Sequence, residues 1–208
     1  NYEKYLRLYG NKEVELGCDI YGRSRFGKGF IEWLQGGFQG TSYGNGAAMR
    51  ISPVGYFFNT IEEVKENAYL ATIPSHNHEE ALKGAECIAI SIFLLRTGHT
   101  KEEVKKYVEA NYYSLDYDLE ELRHNYKFSS KTINSVPQAL FCFFESSDFE
   151  STIRNAISIG GDTDTIACIA GSLAEATYQI PAEIIESVKP YLRDYMQDIL
   201  IQNKKKIK

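Results

Sequence analysis

The sequence is short of several things that would each have announced a class of protein. It has no apolar run long enough to span a bilayer and no signal-peptide pattern at its start, which argues against a membrane partner and points to the cytoplasm. It has four cysteines, Cys18, Cys87, Cys142 and Cys168, and none falls in a CxxC pair. Neither a disulfide framework nor a cysteine zinc site is therefore encoded. Cys87, Cys142 and Cys168 lie in apolar helical context and read as small core residues. Of four histidines, His76 and His78 are two apart, but no further His or Cys is near enough to complete a zinc cage. Basic residues are outnumbered, 23 Lys and Arg against 28 Asp and Glu, for a net charge of −5. That balance argues against nucleic acid as a partner, and the lysines at 204, 205, 206 and 208 read as a solvated tail. Valine never gathers into runs and alternation never lasts, so no strand is predicted.

What is present is an ordinary globular balance, 43% hydrophobic and 25% charged over 208 residues, enough for one domain with a real core. The most informative stretch is Gly160-Gly161-Asp162-Thr163-Asp164-Thr165-Ile166-Ala167. A glycine pair turns the chain, two carboxylates and two hydroxyls follow, and a run of small apolar residues begins at once. That run reads as a buried helix. An aspartate there can be a plain N-cap that accepts a backbone N–H. A cap accounts for one aspartate and leaves the second, with Thr165, unexplained. Two close carboxylates repel unless a cation or proton intervenes, and oxygen ligands of this kind suit Mg²⁺. Cap and metal ligand both remain open on the residues alone.

Helix signals fill the rest of the chain. Tyr2 to Tyr9 reads as a short helix, and residues 10–27 as irregular. Phe30 to Leu34 marks a turn or two ending near Gly36. Ala47 to Ile51 starts a helix that ends or kinks at Pro53. Thr60 with Glu63, and Thr100 with Glu103, are capping boxes that open helices through about Thr72 and Tyr112. Pro74 is expected to break the first of these. Asn77 or His78 precedes a long apolar pattern closed by Gly98. Residues 114–130 form a polar excursion with some helix, and the tyrosines at 112, 113 and 117 read as surface packing. Ser135 with Pro137, Asp148, and Pro181 open later helices. The fold class is all-α, a compact helical bundle with ligand-binding loops between helices.

Two further loops carry chemistry. Ser42-Tyr43-Gly44-Asn45-Gly46 is either a plain turn or a glycine-rich cradle whose N–H groups bind phosphate. In Ser75-His76-Asn77-His78, one histidine is suited to contacting a substrate while its neighbour caps the following helix.

Together and in this order, Gly44-Asn45-Gly46-Ala47-Ala48-Met49-Arg50, Ser75-His76-Asn77-His78, Gly84-Ala85 and Gly160 through Ala167 resemble the ADP-ribosylglycohydrolase family, the relatives of dinitrogenase reductase-activating glycohydrolase. The resemblance implies an all-α fold and a pair of Mg²⁺ ions at the base of a cleft. It implies hydrolysis of the bond between ADP-ribose and a protein side chain or small leaving group. It places Asp162, Asp164 and Thr165 as metal ligands, and Ser42, Tyr43, Gly44, Asn45, Gly46, Met49 and His76 as substrate-binding residues. The family's other metal ligands lie in an N-terminal Thr-Asp-Asp-Thr motif, and this sequence contains no Asp-Asp pair. The expectation is an ADP-ribosylglycohydrolase-like domain over residues 1–208 without that N-terminal segment. The acid/base residue would then lie in the segment, with a separate fragment as one source of it. The alternative is an impaired or non-catalytic ADP-ribose-binding module.

Overall fold

A computed structural model describes residues 1–17, 24, 26–37 and 40–204; Cys18 and the lysine tail beyond 204 lie outside them. The chain begins with α1 (Tyr2–Glu15) and α2 (Lys28–Leu34). The first helix runs past Gly10, where the sequence suggested irregular chain. Gly10 is there for packing: a Cβ on it would lie 2.7 Å from Cδ2 of Leu34, so the missing side chain lets α2 close on α1.

A 3₁₀ turn (Ala48–Arg50) leads into α3 (Ser52–Phe57), with Pro53 in its first turn, where a missing N–H costs nothing. Next comes α4 (Ile61–His76), opened by the Thr60–Glu63 capping box. Pro74 does not break it. The lost donor would have bonded the carbonyl of Leu70, a residue 41% exposed, so water can take its place. The last turn is also held from outside: Asn77 N–H donates to the Gly40 carbonyl at 2.7 Å, and Ser42 N–H to the Ser75 carbonyl at 3.4 Å.

The central helix is α5 (Glu79–Arg96), in which Ala81, Ala85, Ile88, Ile92 and their neighbours are buried. His78 caps its start by accepting the Glu80 N–H on Nδ1 at 3.2 Å. At its end Gly98 takes φ +98°, and the Gly98 and His99 N–H groups return to Leu95 and Leu94, which satisfies two last-turn carbonyls. Then follow α6 (Lys101–Asn111), opened by the Thr100–Glu103 box, and α7 (Leu119–Asn125), capped by Asp118 inside the polar excursion. Between them, Tyr113 is not on the surface. It is buried beside Gly84 of α5, where its hydroxyl donates to Glu80 Oε1 at 2.8 Å.

A second 3₁₀ turn (Thr132–Asn134) precedes α8 (Val136–Phe144), α9 (Phe149–Ser158) and α10 (Thr163–Glu175). After α11 (Ala182–Val188), α12 (Asp194–Lys204) returns to α1, where Tyr195 stacks on Tyr9 at 6.0 Å and Arg193 pairs with Glu13. One apolar cluster runs through the molecule: α5 packs against α3, α4, α6 and α10, and α10 packs against α8 and α9. Among the described residues no strand forms, only isolated bridges Thr41–His76 and Gly44–Lys131. The fold is all-α. No helix among them is long and apolar enough to cross a membrane.

Candidate active site

Both bridges lie in the loop before the first 3₁₀ turn, and they show how that loop is held. Gly40 turns with φ +74°, and a Cβ there would come within 2.4 Å of the Pro74 carbonyl oxygen. Gly44 N–H donates to Ser42 Oγ at 3.1 Å, and Asn45 N–H to the Ser130 carbonyl at 2.8 Å. Those two amides are engaged in holding the loop and are not free for an anion, which narrows the phosphate-cradle expectation to the remaining donors. From the far side, Thr132 Oγ1 sits 3.0 and 2.9 Å from the carbonyls of Tyr43 and Gly44.

Asn45 is the junction. Its side chain is buried, and Nδ2 donates to Ser135 Oγ at 2.9 Å and to Asp162 Oδ2 at 2.7 Å. The glycine loop, the start of α8 and the start of α10 thus meet on one amide. Ser135 is a residue that sequence reading took only for a helix start. Its bond to Asn45 reaches 90 residues back in sequence, and no local signal exposes it.

Asp162 occupies the N-cap position of α10, yet its side chain makes no cap hydrogen bond. Burial raises its pKa; the Asn45 bond opposes this and neighbouring Asp164 adds to it. Asp164 accepts the Thr165 N–H at 2.8 Å and remains exposed. Thr165 is buried, with its hydroxyl 3.8 Å from the Met49 sulfur and close enough to the Asp162 carboxylate to oppose the rise in its pKa. Gly161, at φ +70°, lies flat against the Tyr126 ring, to which a Cβ would come within 2.3 Å. The plain cap accounts for none of the Asp162 geometry. Two carboxylates and a hydroxyl share one helix start.

His76 lies across the glycine loop. A Cβ on Gly46 would be 3.1 Å from its Nε2, and one on Gly44 3.9 Å. Arg50 joins this wall, with Nη1 2.9 Å from the Gly46 carbonyl and Nη2 2.6 Å from Ser75 Oγ. Burial lowers the Arg50 pKa to about 10, so it stays charged at neutral pH. Burial and then the Arg50 charge push His76 down to about 3. Tyr43 stands at the rim, 51% exposed, with its ring edge-on to His78 at 5.6 Å and Lys131 Nζ 5.7 Å from it. Met49 is also at the surface.

Every residue singled out in the three loops therefore falls in one region. Cys168 does not lie in the core: one turn beyond Asp164 it is exposed, with its thiol 3.2 Å from the Met49 carbonyl. Sequence reading gave no role to Arg50. An arginine inside Ala47-Ala48-Met49-Arg50-Ile51, an otherwise small and apolar stretch, was the available signal, because a buried guanidinium needs named acceptors.

An all-helical fold with an acidic helix start facing a glycine-rich loop and a buried histidine is the class of protein these features define. The chain belongs to the ADP-ribosylglycohydrolase family, whose pattern it matches over residues 4–206. It is 25% identical over 211 residues to ADP-ribosylhydrolase ARH3 of Homo sapiens, covering 78% of this chain and 57% of that protein. It is 25% identical over 173 residues to ADP-ribosylarginine hydrolase Tri1 of Pseudomonas putida, covering 76% and 45%. The chain thus spans about half the length of these curated relatives. A solved structure described as an ADP-ribosylglycohydrolase-related protein complex superposes with a TM-score of 0.62 at 22% identity, over 87% of this chain and 65% of that one, a likeness of fold.

Proposed function

We propose that this chain holds the ADP-ribose unit in a Mg²⁺-dependent ADP-ribosyl hydrolase that cleaves the glycosidic bond to a protein side chain or small leaving group. One observation carries the reading: Asn45 ties the glycine loop to Asp162, so the group gripped by the loop lies beside the acidic helix start. The relatives named ADP-ribosylhydrolase and ADP-ribosylarginine hydrolase support the class of substrate.

The donor set at the helix start fits a hard cation. Asp162 lacks a side-chain cap bond, burial and then Asp164 raise its pKa, and the Thr165 hydroxyl lies beside it at the same helix start. Asp162, Asp164 and Thr165 would hold Mg²⁺, with water or substrate completing its shell. The chemistry a bound ion would supply there is polarisation of ribose hydroxyls and of a water near the anomeric carbon. The chain's own residues do the positioning. Asn45 orients the Asp162 carboxylate, Tyr43 offers a ring face at the rim, and His76 offers a neutral nitrogen beside Gly46.

A second reading is an ADP-ribose-binding module without turnover: Asp162, Asp164 and Thr165 are three ligands from one helix start, and the sequence holds no Asp-Asp pair of the kind the resemblance calls for to complete the site. Release of ADP-ribose from an ADP-ribosylated protein, measured with Mg²⁺ and with chelator, separates the two readings. Chelator-sensitive release supports the hydrolase. Calorimetric ADP-ribose binding without release supports the module, and no binding under either condition refutes both.

A further inference from the structure

The polarity of the His76 ring follows from its neighbours. The Arg50 guanidinium can only donate, and Nη2 lies 2.6 Å from Ser75 Oγ, so that oxygen accepts. The same oxygen lies 2.8 Å from Nδ1 of His76. Ser75 must place its own proton somewhere, and among the described residues Nδ1 is its only other hydrogen-bond partner. A bare Nδ1 puts the ring proton on Nε2. The opposite arrangement would leave the Ser75 proton without an acceptor in a buried place, which is unfavourable. A doubly protonated ring would face the Arg50 charge from a position only 6% exposed.

The geometry points to Arg50 and Ser75 as positioning residues that, through the chain Arg50 to Ser75 to His76, lock His76 as a fixed Nε2–H donor, selecting a ligand that presents an acceptor oxygen at the Gly44–Gly46 turn. Nε2 has no hydrogen-bond partner among the described residues, and it faces the two glycines that leave room for one. Arg50 also holds the Gly46 carbonyl at 2.9 Å, so one guanidinium sets the distance between turn and ring. The oxygen it serves is a phosphate or ribose oxygen if the ligand is ADP-ribose, and this clause alone rests on the proposed function.

The test is ¹⁵N–¹H long-range correlation of the imidazoles in the full chain at pH 7, with calorimetry of ADP-ribose binding alongside. His76 is expected to show a protonated Nε2 and a bare Nδ1. In Ser75→Ala the ring should lose that single tautomer and ADP-ribose affinity should fall about tenfold, the scale of one displaced donor. Ser75→Thr, which keeps the hydroxyl, should restore both. Arg50→Lys keeps the charge but cannot make both bonds of the fork; it should also disturb the tautomer and guards against a Ser75→Ala chain that fails to fold. A protonated Nδ1 in the wild type overturns the proposal, as does a tautomer or an affinity unmoved in both variants. A wild-type chain with the expected tautomer and no ADP-ribose binding keeps the relay and refutes the nucleotide reading.

Discussion

At the scale of single residues, Asp162 carries the sharpest expectation. It sits where a capping aspartate would sit, next to a second carboxylate, and it does not cap. Asp162→Asn removes the charge but keeps an oxygen for Asn45 Nδ2. Without metal the variant should melt at or above the wild-type temperature, because repulsion from Asp164 is relieved. Added Mg²⁺ should raise the melting temperature of the wild type and leave the variant where it is. A sharp fall in the metal-free variant would mean that the carboxylate is a structural cap after all. His76 sets a pH dependence of known sign. Its folded pKa is lowered to about 3, against roughly 6.5 in an unfolded chain. The unfolded chain therefore takes up the proton first, and stability present above pH ~6.5 is lost as pH falls toward 3. Between pH 6.5 and 4 the wild-type melting temperature should drop more steeply than that of His76→Gln; parallel slopes would show a ring that protonates freely when folded.

At the scale of elements, the approach to α10 depends on one glycine. Gly161 combines φ +70° with an α-carbon pressed on the Tyr126 ring. Gly161→Ala should cost about 2–3 kcal/mol in urea unfolding, roughly 1–2 of it backbone strain. Adding Tyr126→Ala should recover the steric part and leave the strain, so the pair should be non-additive; strictly additive losses would place Tyr126 elsewhere. The same contrast between local and distant causes explains what could be read from the sequence. The capping boxes at Thr60 and Thr100 and the glycine stop at Gly98 are complete within six residues, and the sequence shows them whole. Continuation of α1 through Gly10 depends on Leu34, and the end of α4 past Pro74 on the Gly40 and Ser42 backbone. Burial of Tyr113 depends on Gly84, and exposure of Cys168 on its place beside Asp164 and Met49. None of these partners is adjacent in sequence. The three loops of the site could be picked out one by one, but the amide that joins two of them, Asn45 with Asp162, spans 117 positions.

At the scale of the molecule, that joining has a thermodynamic consequence. The glycine loop is bonded to the end of α4 and to the segment from Ser129 to Ser135 through backbone pairs and the Thr132 hydroxyl, and to the start of α10 through the Asn45 side chain, while an apolar cluster lies beneath them. A ligand that steadies the glycine loop should therefore steady the other three through these bonds. At a hundred times its dissociation constant a ligand that binds only the folded chain adds about 2.7 kcal/mol, or roughly 5–11 °C in a chain of this size. In hydrogen exchange, saturating ADP-ribose with Mg²⁺ should slow amides at 40–50, 75–80, 129–135 and 160–166 together. The α1–α12 end, joined by Tyr9, Glu13, Arg193 and Tyr195, should be unchanged. Protection confined to one loop would show that the four segments open independently. The Asn45 amide would then be a contact of the folded state without being the hinge of the site. Repeating the exchange with Asn45→Ala discriminates further. That change removes the bonds to Ser135 and Asp162 while leaving the loop backbone bonded to Ser130, so protection at 160–166 should be lost first and protection at 75–80 should persist.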